Sequence, residues 1–442
     1  MKQNKFTNQV EESLFNFLHN IDSLNDTVPL TMIVIGEMLK KSHGDHKKFL
    51  EKNGVLEKTE DGESTYTLHS RHISEERKIT RKIEQNLTAV DLMPRNFLVS
   101  FVSEYDAFLG GLIKGFYTKK AELLNGLERQ ISFSELASFS SLENAKEFIL
   151  EKEVESILRK SHCEHFDILE RKFNIKLRKD LEIWPIFIEL MERRNLFVHC
   201  DGVVSIQYIS VCNEHNVQLS DEQRLGTRLT VDPSYLKEAS STLREIAIKL
   251  SHVLWRKIFP EERLDADQSL LHLTYELIQR ERLSLAIKIL EFSIGLPKHF
   301  DDNFKRMFVI NLAQAYKYSE NNKKCIELIS QYDWSSVAYK FKLAVSVLSE
   351  KYTEAADYMV NAALTNELTE EDFLEWPLFK EFRKKPEFAD AFFRAYSKQP
   401  PEKEAITITS TEPPTPPHLS RKTPTSPRTK RRIRSVKTKE AE

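Results

Sequence analysis

The chain has 442 residues, and with 40% hydrophobic and 30% charged residues it can build packed cores over a length typical of two or three domains. Glycine contributes 11 residues, a sparse supply that favours helices over a turn-rich β fold and predicts an all-α protein. No apolar run approaches the ~20 residues that a membrane span needs, and the first residues lack the apolar core of a signal peptide. The sequence therefore predicts a cytoplasmic protein without a membrane partner.

Charge is distributed unevenly along the chain. Residues 401–442 carry ten Lys/Arg and five Asp/Glu, a net charge of +5, which leaves −7 for residues 1–400. An acidic body does not by itself indicate a nucleic-acid-binding protein, so any RNA contact has to come from a local patch. The four cysteines form no C-x-x-C pair, which predicts free buried thiols and neither a metal site nor a cofactor.

Residues 1–90 are predicted to form a helical N-terminal region, to which the sequence assigns no role. The stretches 10–18 and 29–41 have the apolar spacing of amphipathic helices. The sequence GVLEKTEDGESTYTL, over 54–68, is rich in turn-forming residues and predicts either a hairpin or a short loop.

Residues 91–260 are predicted to form a helical bundle. Pro94 suits the first turn of a helix, so a long helix is expected to begin there. We interpret Gly110, Gly111 and Gly115 within this helix as sites of close helix packing. The apolar residues that recur at helical spacing and predict a wide buried stripe are Phe97, Leu98, Phe101, Val102, Tyr105, Phe108, Leu109, Leu112, Ile113 and Phe116.

The same kind of apolar pattern predicts the remaining elements of the bundle. Several amphipathic helices with facing apolar surfaces pack as a bundle, and an Asp-Pro pair is typical of a helix start. The predicted elements are helices around 142–159 and 161–174, a helix over 180–200 with Pro185 in its first turn, a short β-prone piece over 202–211, and a long helix opened by Asp232-Pro233.

Residues 265–398 contain an internal repeat. The sequence LAQAYKYSENNKKCIELI, over 312–329, aligns with LAVSVLSEKYTEAADYMV, over 343–360, 31 residues later. Helix–turn–helix units at a period of about 34 residues are typical of tetratricopeptide-like repeats, and such arrays expose a curved face that binds a peptide or protein. Small residues share one packing position in two copies and in a third, less regular copy: Cys325, Ala356 and Ala286.

Residues 399–442 are dominated by Pro, Thr, Ser, Lys and Arg and are predicted to be disordered, because this composition cannot bury a core. Between Arg421 and Lys439 there are nine Lys/Arg and no acidic residue. This run predicts a non-specific, salt-sensitive affinity for RNA. The alternatives are a solvated tail without a role and a localisation signal.

The helix over 180–200 holds an arginine in an unusual position. On a helical wheel of ~100° per residue that starts at Ile186, the apolar side chains fall between about 20° and 140°, and Arg194 falls near 80°. Asn195 and His199 lie one turn apart at the edge of this apolar stripe. An arginine on a buried face is costly unless its charge is paired and hydrogen-bonded.

A purely structural explanation is available for both charged residues. Arg194 would form a buried ion pair with an acid on a neighbouring helix, such as Glu104 or Asp106. His199 would be a capping or core histidine.

The string RNLFVH, from Arg194 to His199, resembles the R-x4–6-H motif of HEPN ribonucleases, including the polar residue directly after the arginine. It follows a Trp-Pro helix start and precedes the turn-forming HCDGVVSIQYI. Upstream, FVSEYDAFLGGLI resembles the first long helix of the RiboL-PSP-type branch of that family. The resemblance covers residues 90–258 and implies a HEPN-type bundle that cleaves RNA with Arg194 and His199.

These residue types suit the implied chemistry. Attack of the RNA 2′-hydroxyl on the phosphate needs a base near neutral pH, which histidine supplies, and a lasting cation on the phosphate oxygens, which arginine supplies bidentately. Asn195 would orient the imidazole or bind a phosphate oxygen, and no metal is required. Arg193 also fits the motif spacing and is a secondary candidate, expected on the solvent side of the helix.

The resemblance implies a homodimer through the bundle, because the motif helices of two protomers face each other in HEPN ribonucleases. A second His199 across a two-fold axis would also supply the acid that the leaving oxygen needs. Three functions remain open at this point: a metal-independent endoribonuclease, such as the toxins and antiviral defence effectors common in that family; a non-catalytic HEPN-like scaffold; and a repeat-only adaptor in which Arg194 is structural.

Overall fold

The computed structural model describes residues 9–60, 63–124, 132–179 and 181–401. Within these ranges the chain is predominantly helical, and its only named strands form one two-stranded antiparallel sheet, so the prediction of a mainly α protein is confirmed. Over the same ranges, no helix is long and apolar enough to cross a membrane. The tail predicted to be disordered lies outside the described residues from position 402 onward.

Two long antiparallel helices form the N-terminal third of the chain, α1 (Gln9–Asn53) and α2 (Ile73–Lys119). A ribbon of two strands, β1 (Gly54–Glu60) and β2 (Glu63–Leu68), joins them, with Gly54 paired to Leu68. Of the two predictions for this segment, the hairpin is confirmed.

The long helix expected to begin at Pro94 begins 21 residues earlier, and this prediction is wrong. Pro94 lies buried inside α2, where α1 packs alongside. Asn86 donates to the carbonyl oxygen of Met38 (3.3 Å) and to the hydroxyl of Ser42, so tertiary contacts hold the turns before the proline helical. The division expected at residue 90 therefore falls within a continuous helix.

The first half of α1 contributes directly to the core of the bundle. Val10, Leu14, Phe17 and Ile21 are buried in the same apolar cluster as the stripe of α2. That stripe is confirmed, since every residue predicted for it is buried except Phe97, which is half-buried.

The glycines of α2 lie at close contacts between helices, as predicted. A Cβ atom on Gly111 would lie 2.8 Å from the hydroxyl of Ser13, and one on Gly115 would lie 3.3 Å from the Cβ of Gln9. The first distance is too short for packed atoms and the second is tighter than most Cβ contacts, so glycine lets α1 approach α2 closely here.

Six further helices complete the bundle. Those predicted around 142–159, 161–174 and 180–200 and after Asp232 are all present, and Asp232 caps the last of them by accepting from the backbone N–H of Tyr235 at 2.7 Å. The helices are α3 (Phe133–Ser138), α4 (Leu142–Leu158), α5 (His162–Phe173), α6 (Trp184–His199), α7 (Ile206–Glu214) and α8 (Pro233–Ile258).

The piece predicted to be β-prone, 202–211, is mostly helical, because α7 begins inside it. Ser205 caps that helix by accepting from the N–H of Tyr208, and Cys212 and Tyr208 pack over Leu196 of α6. This capping and burial override the β propensity of Val, Ile and Tyr. A single bridge between Val203 and Arg228 is the extended pairing that remains there.

The C-terminal residues form helices that pack mainly against their neighbours in sequence. The small residues assigned to one packing position, Ala286, Cys325 and Ala356, are all buried. An ion pair between Arg256 and Asp267 (2.7 Å) links the array to the bundle. The helices are α9 (Arg263–Gln279), α10 (Leu283–Ile294), α11 (Asp302–Tyr318), α12 (Asn322–Ser330), α13 (Tyr339–Leu348), α14 (Tyr352–Leu364), α15 (Glu370–Glu375) and α16 (Pro386–Tyr396).

Candidate functional site

The candidate residues lie on the second half of α6, and a network of ion pairs fixes the turn that follows. The N–H groups of Cys200 and Gly202 both donate to the carbonyl oxygen of Leu196, which ends the helix. Gly202 has a φ of +80°, and a Cβ atom there would lie 2.9 Å from the ring of Phe197, so the turn requires glycine. His199 is thus the last residue before a rigid turn.

Asp201 is the centre of that network. Arg228 donates to both of its carboxylate oxygens at 2.7 Å, and Arg95 of α2 approaches one of them at 3.2 Å. Arg95 also pairs with Asp91 at 2.6 Å and lies over the ring of Phe197. These contacts tie the end of α6 to α2 and to the loop before α8.

Arg194 forms an ion pair with Asp106, one of the two acids proposed from the sequence as its partner. The Nη2 atom of Arg194 lies 3.4 Å from one Asp106 oxygen, while Nε2 of His162 lies 2.8 Å from the other. The Arg194 side chain is 20% exposed, so it is not at the centre of a fully buried face as the wheel suggested. Glu104, the other proposed acid, instead accepts a hydrogen bond from Asn20 of α1.

Glu192 and Asn195, both on α6, extend the cluster formed by Arg194, Asp106 and His162. The Nδ2 atom of Asn195 donates to Glu192 at 3.3 Å. Burial raises the pKa of Glu192, and the charges of His162 and Arg194 and the Asn195 bond oppose the rise. The cluster therefore brings two carboxylates, a guanidinium, an imidazole and an amide within reach of one another.

His199 is exposed, so a ligand has access to it. It lies five positions after Arg194, which on a helix corresponds to about 7.5 Å along the axis and about 140° around it. A single α6 consequently directs the two side chains toward different faces. Asn195 lies between them, one turn before His199.

Arg193 is more buried than Arg194, and its expected position on the solvent side is wrong. Its side chain is 13% exposed, donates to Glu189 at 2.6 Å and lies over the ring of Tyr235 at 4.2 Å. Glu189 also accepts from the hydroxyl groups of Tyr208 and Tyr235, both at 2.7 Å. Arg193 belongs to a closed polar network.

Sequence reasoning missed His162 and Glu192. The pair Ser161 and Glu164 forms a capping box, a pattern visible in the sequence that places His162 at the first turn of α5. Its contact with Asp106, 56 residues earlier, depends on the packing of α5 against the rest of the bundle, for which the sequence has no signal. The neighbouring His165 is buried, and burial lowers its pKa to about 4, so it is neutral near pH 7.

The four cysteines are free, but they are not uniformly buried as expected. Cys212 and Cys325 are buried, Cys163 is half-buried and Cys200 is exposed. Cys163 contacts Nε2 of His215 at 3.0 Å, and burial raises the pKa of its thiol to about 11. A thiol with so high a pKa stays protonated near neutral pH and is a poor nucleophile.

Comparison with models of known protein families, with curated proteins and with solved structures finds no match to this chain.

Proposed function

We propose that the protein is a metal-independent endoribonuclease of HEPN type that uses Arg194 and His199. The observation that carries the proposal is an exposed histidine at a helix end, five positions after an arginine whose one carboxylate contact among the described residues is the 3.4 Å pair with Asp106. Nε of Arg194 is buried and Nη2 faces Asp106, so the N–H donors that would bind a phosphate group are those on the Nη atoms that Asp106 does not use.

Each residue of the cluster has a role in this proposal. His199 removes the proton of the RNA 2′-hydroxyl, and Arg194 stabilises the charge that develops on the phosphate oxygens. Asp106 holds the Arg194 side chain from the protein side, and His162 holds Asp106. Asn195, fixed by Glu192, positions either the imidazole or a phosphate oxygen.

Incubation of the purified full-length protein with total RNA in excess EDTA tests this function. We expect discrete cleavage products with 2′,3′-cyclic phosphate ends, because the nucleophile is the neighbouring 2′-hydroxyl. Intact RNA after prolonged incubation at several protein concentrations would contradict the proposal. The resemblance further implies a role as a toxin or antiviral defence effector, which expression in cells would test through growth arrest.

We further propose that the active protein is a homodimer whose motif helices face each other. The divergence of Arg194 and His199 around one α6 supports pairing, because a second helix would bring complementary groups to the same phosphate. Exposed apolar side chains near His199 in sequence also favour a covered surface, since Val198 and Ile206 are 47% and 74% exposed.

Mixing inactive variants tests the dimer. Arg194→Ala and His199→Ala protomers, each inactive alone, would form heterodimers with an altered pair of sites, so cleavage should depend on their mixing ratio. A protein that sediments as a monomer at micromolar concentration and still cleaves RNA would exclude the composite site.

A non-catalytic scaffold is the second candidate function. The ion pair between Arg194 and Asp106 fits a structural role for that arginine. The repeat array, which we propose is tetratricopeptide-like, contains a cleft of about 380 Å³ between α9, α11 and the segment around α15, which suits a peptide. If the protein is such a scaffold, RNA incubated with it in EDTA stays intact, while the full-length protein still binds peptide.

A further inference from the structure

A cleft of about 380 Å³ opens in the repeat array between α9, α11 and the segment around α15. Leu271, Tyr275, Met307 and Leu368 form its apolar lining. Such a volume accommodates a few side chains of an extended peptide.

Two buried polar groups in this cleft have no partner. Asn311 is 2% exposed, and its Oδ1 atom accepts no hydrogen bond from the described residues. Trp376 is 7% exposed, and its Nε1–H likewise has no acceptor there. An unpaired buried donor or acceptor destabilises the protein, so a ligand that satisfies both groups would be stabilised here. A peptide bond offers the matching pair, an N–H for Asn311 and a carbonyl oxygen for Trp376.

The rim of the cleft is acidic. Glu371, Asp372 and Glu375 line it and are exposed, and no Lys or Arg is among the described residues of the lining. The nearby Arg383 already donates to the carbonyl oxygens of Phe373 and Trp376. Asp372 accepts hydrogen bonds from Thr369, whereas Glu371 and Glu375 form no ion pair with the described residues, so the negative charge of the rim favours a cationic occupant.

The described chain ends beside this rim. Lys398 forms an ion pair with Glu370 of α15 at 2.8 Å, and Tyr396 contacts the ring of Phe373. The basic run begins 20 residues after position 401, the last described, and 20 residues reach up to about 65 Å. Tethering at this point keeps the run at an effective concentration near millimolar.

We propose that this cleft binds the chain's own Lys/Arg-rich segment, residues 421–439. The cleft supplies three carboxylates to a segment with nine basic side chains, and two buried polar groups to its backbone. The inference does not depend on ribonuclease activity, because it uses only residues of the repeat array and the tail.

Competition between the tethered segment and a free copy tests the proposal. The probe is a fluorescent synthetic peptide of residues 421–439, and its binding to full-length protein is measured by anisotropy at low salt. In a second full-length protein the tail is neutralised by six substitutions to Gln: Arg428, Lys430, Arg431, Arg432, Arg434 and Lys437. We expect the probe to bind this variant at least tenfold more tightly, since no tethered competitor remains.

Cleft variants in the tail-neutralised protein locate the binding site. Glu371→Gln with Glu375→Gln should weaken probe binding about tenfold, and both positions are exposed, so folding is preserved. Trp376→Phe, which removes one N–H donor, should weaken it about fivefold. Glu327→Gln with Glu354→Gln removes the same charge from other exposed positions and should change nothing.

Three outcomes would overturn the proposal. Equal affinity for the wild-type and tail-neutralised proteins means that the tail does not occupy the cleft. Absence of binding to both means that the cleft does not take a basic peptide. An equal loss in the Glu327/Glu354 control means that the attraction is non-specific.

Discussion

Helix α6 presents two polar faces that are built differently. On one face the carboxylate of Glu189 has a full set of partners, and Arg193 both pairs with it and donates to the carbonyl oxygen of Thr230. On a second face Arg194 has a single carboxylate contact among the described residues, at 3.4 Å, and its buried Nε has no hydrogen-bond partner there. His199 is exposed about 140° further around the helix. The partners that complete the first face are Tyr208, Gln223 and Tyr235.

This difference distinguishes Arg193, which we expect to have a structural role, from its neighbour Arg194, which we expect to have a functional one. A buried charge whose hydrogen bonds are all made within the chain stabilises the native packing once its partners are present. A charge with unused donors on a partly exposed side chain is available to a ligand. The same criterion marks Asn311 and Trp376 in the repeat array, where buried groups line a cleft without partners.

The largest effect on cleavage should come from substitutions of Arg194 and His199. Arg194→Ala and His199→Ala are each expected to reduce RNA cleavage by about 10²–10⁴-fold, because one removes the phosphate cation and the other the base. Cleavage is measured at single turnover with a defined RNA, and helix content by circular dichroism. Wild-type cleavage by either variant would remove that residue from the catalytic pair, and unfolding of Arg194→Ala would favour the structural role.

Substitutions on the face of α6 around Glu189 should affect folding instead of cleavage. Arg193→Met leaves the carboxylate of Glu189 buried without its cation, and we expect the free energy of unfolding to fall by about 3 kcal/mol. Cleavage per folded molecule should stay within about twofold of wild type. Urea denaturation measures the first quantity and active-site titration the second. A selective loss of activity at wild-type stability would place Arg193 in the catalytic site.

Sequence periodicity predicted the buried stripe of α2, because residues that recur every three or four positions share a helix face whatever they pack against. It failed at Pro94, since a proline inside a helix is tolerated where tertiary contacts hold both sides. The helical wheel also placed Arg194 on the buried face and Arg193 on the solvent side, whereas Arg193 is the more buried of the two. The wheel separates them by about 100°, but the elements that cover each side are distant in sequence.

The pH dependence of folding tests the same criterion at a buried histidine that does not line the cleft of the repeat array. His252 of α8 is fully buried, its ring nitrogens have no hydrogen-bond partner among the described residues, and burial, with a smaller effect of Arg256, lowers its pKa to about 3. The unfolded chain protonates this imidazole near pH 6.5, so the unfolded state binds more protons between pH 6.5 and pH 3. The free energy of unfolding should therefore fall as the pH falls, by about 2 kcal/mol between pH 7 and pH 5.

Replacement of that histidine isolates its contribution. His252→Leu should flatten the dependence of stability on pH over this interval by the same amount, while RNA cleavage at pH 7 is unchanged. Denaturation at four pH values measures the slope. An unchanged slope would mean that other buried groups, such as His165, account for the acid sensitivity.

The smallest expected effect concerns Asp106 and Glu104, the two acids that the sequence offered equally as partners of Arg194. Asp106→Asn keeps the shape of the side chain but removes the charge shared by Arg194 and His162, so Arg194 should lose its orientation and cleavage should fall about tenfold, equivalent to about 1.4 kcal/mol. Glu104→Gln is the matched control, because its carboxylate accepts from Asn20 and has no contact with Arg194. If Asp106 acts through Arg194, then Asp106→Asn in an Arg194→Ala background should add no further loss, whereas independent contributions would multiply. Equal effects of the two substitutions on cleavage would show that the geometry around Asp106 has no part in the reaction.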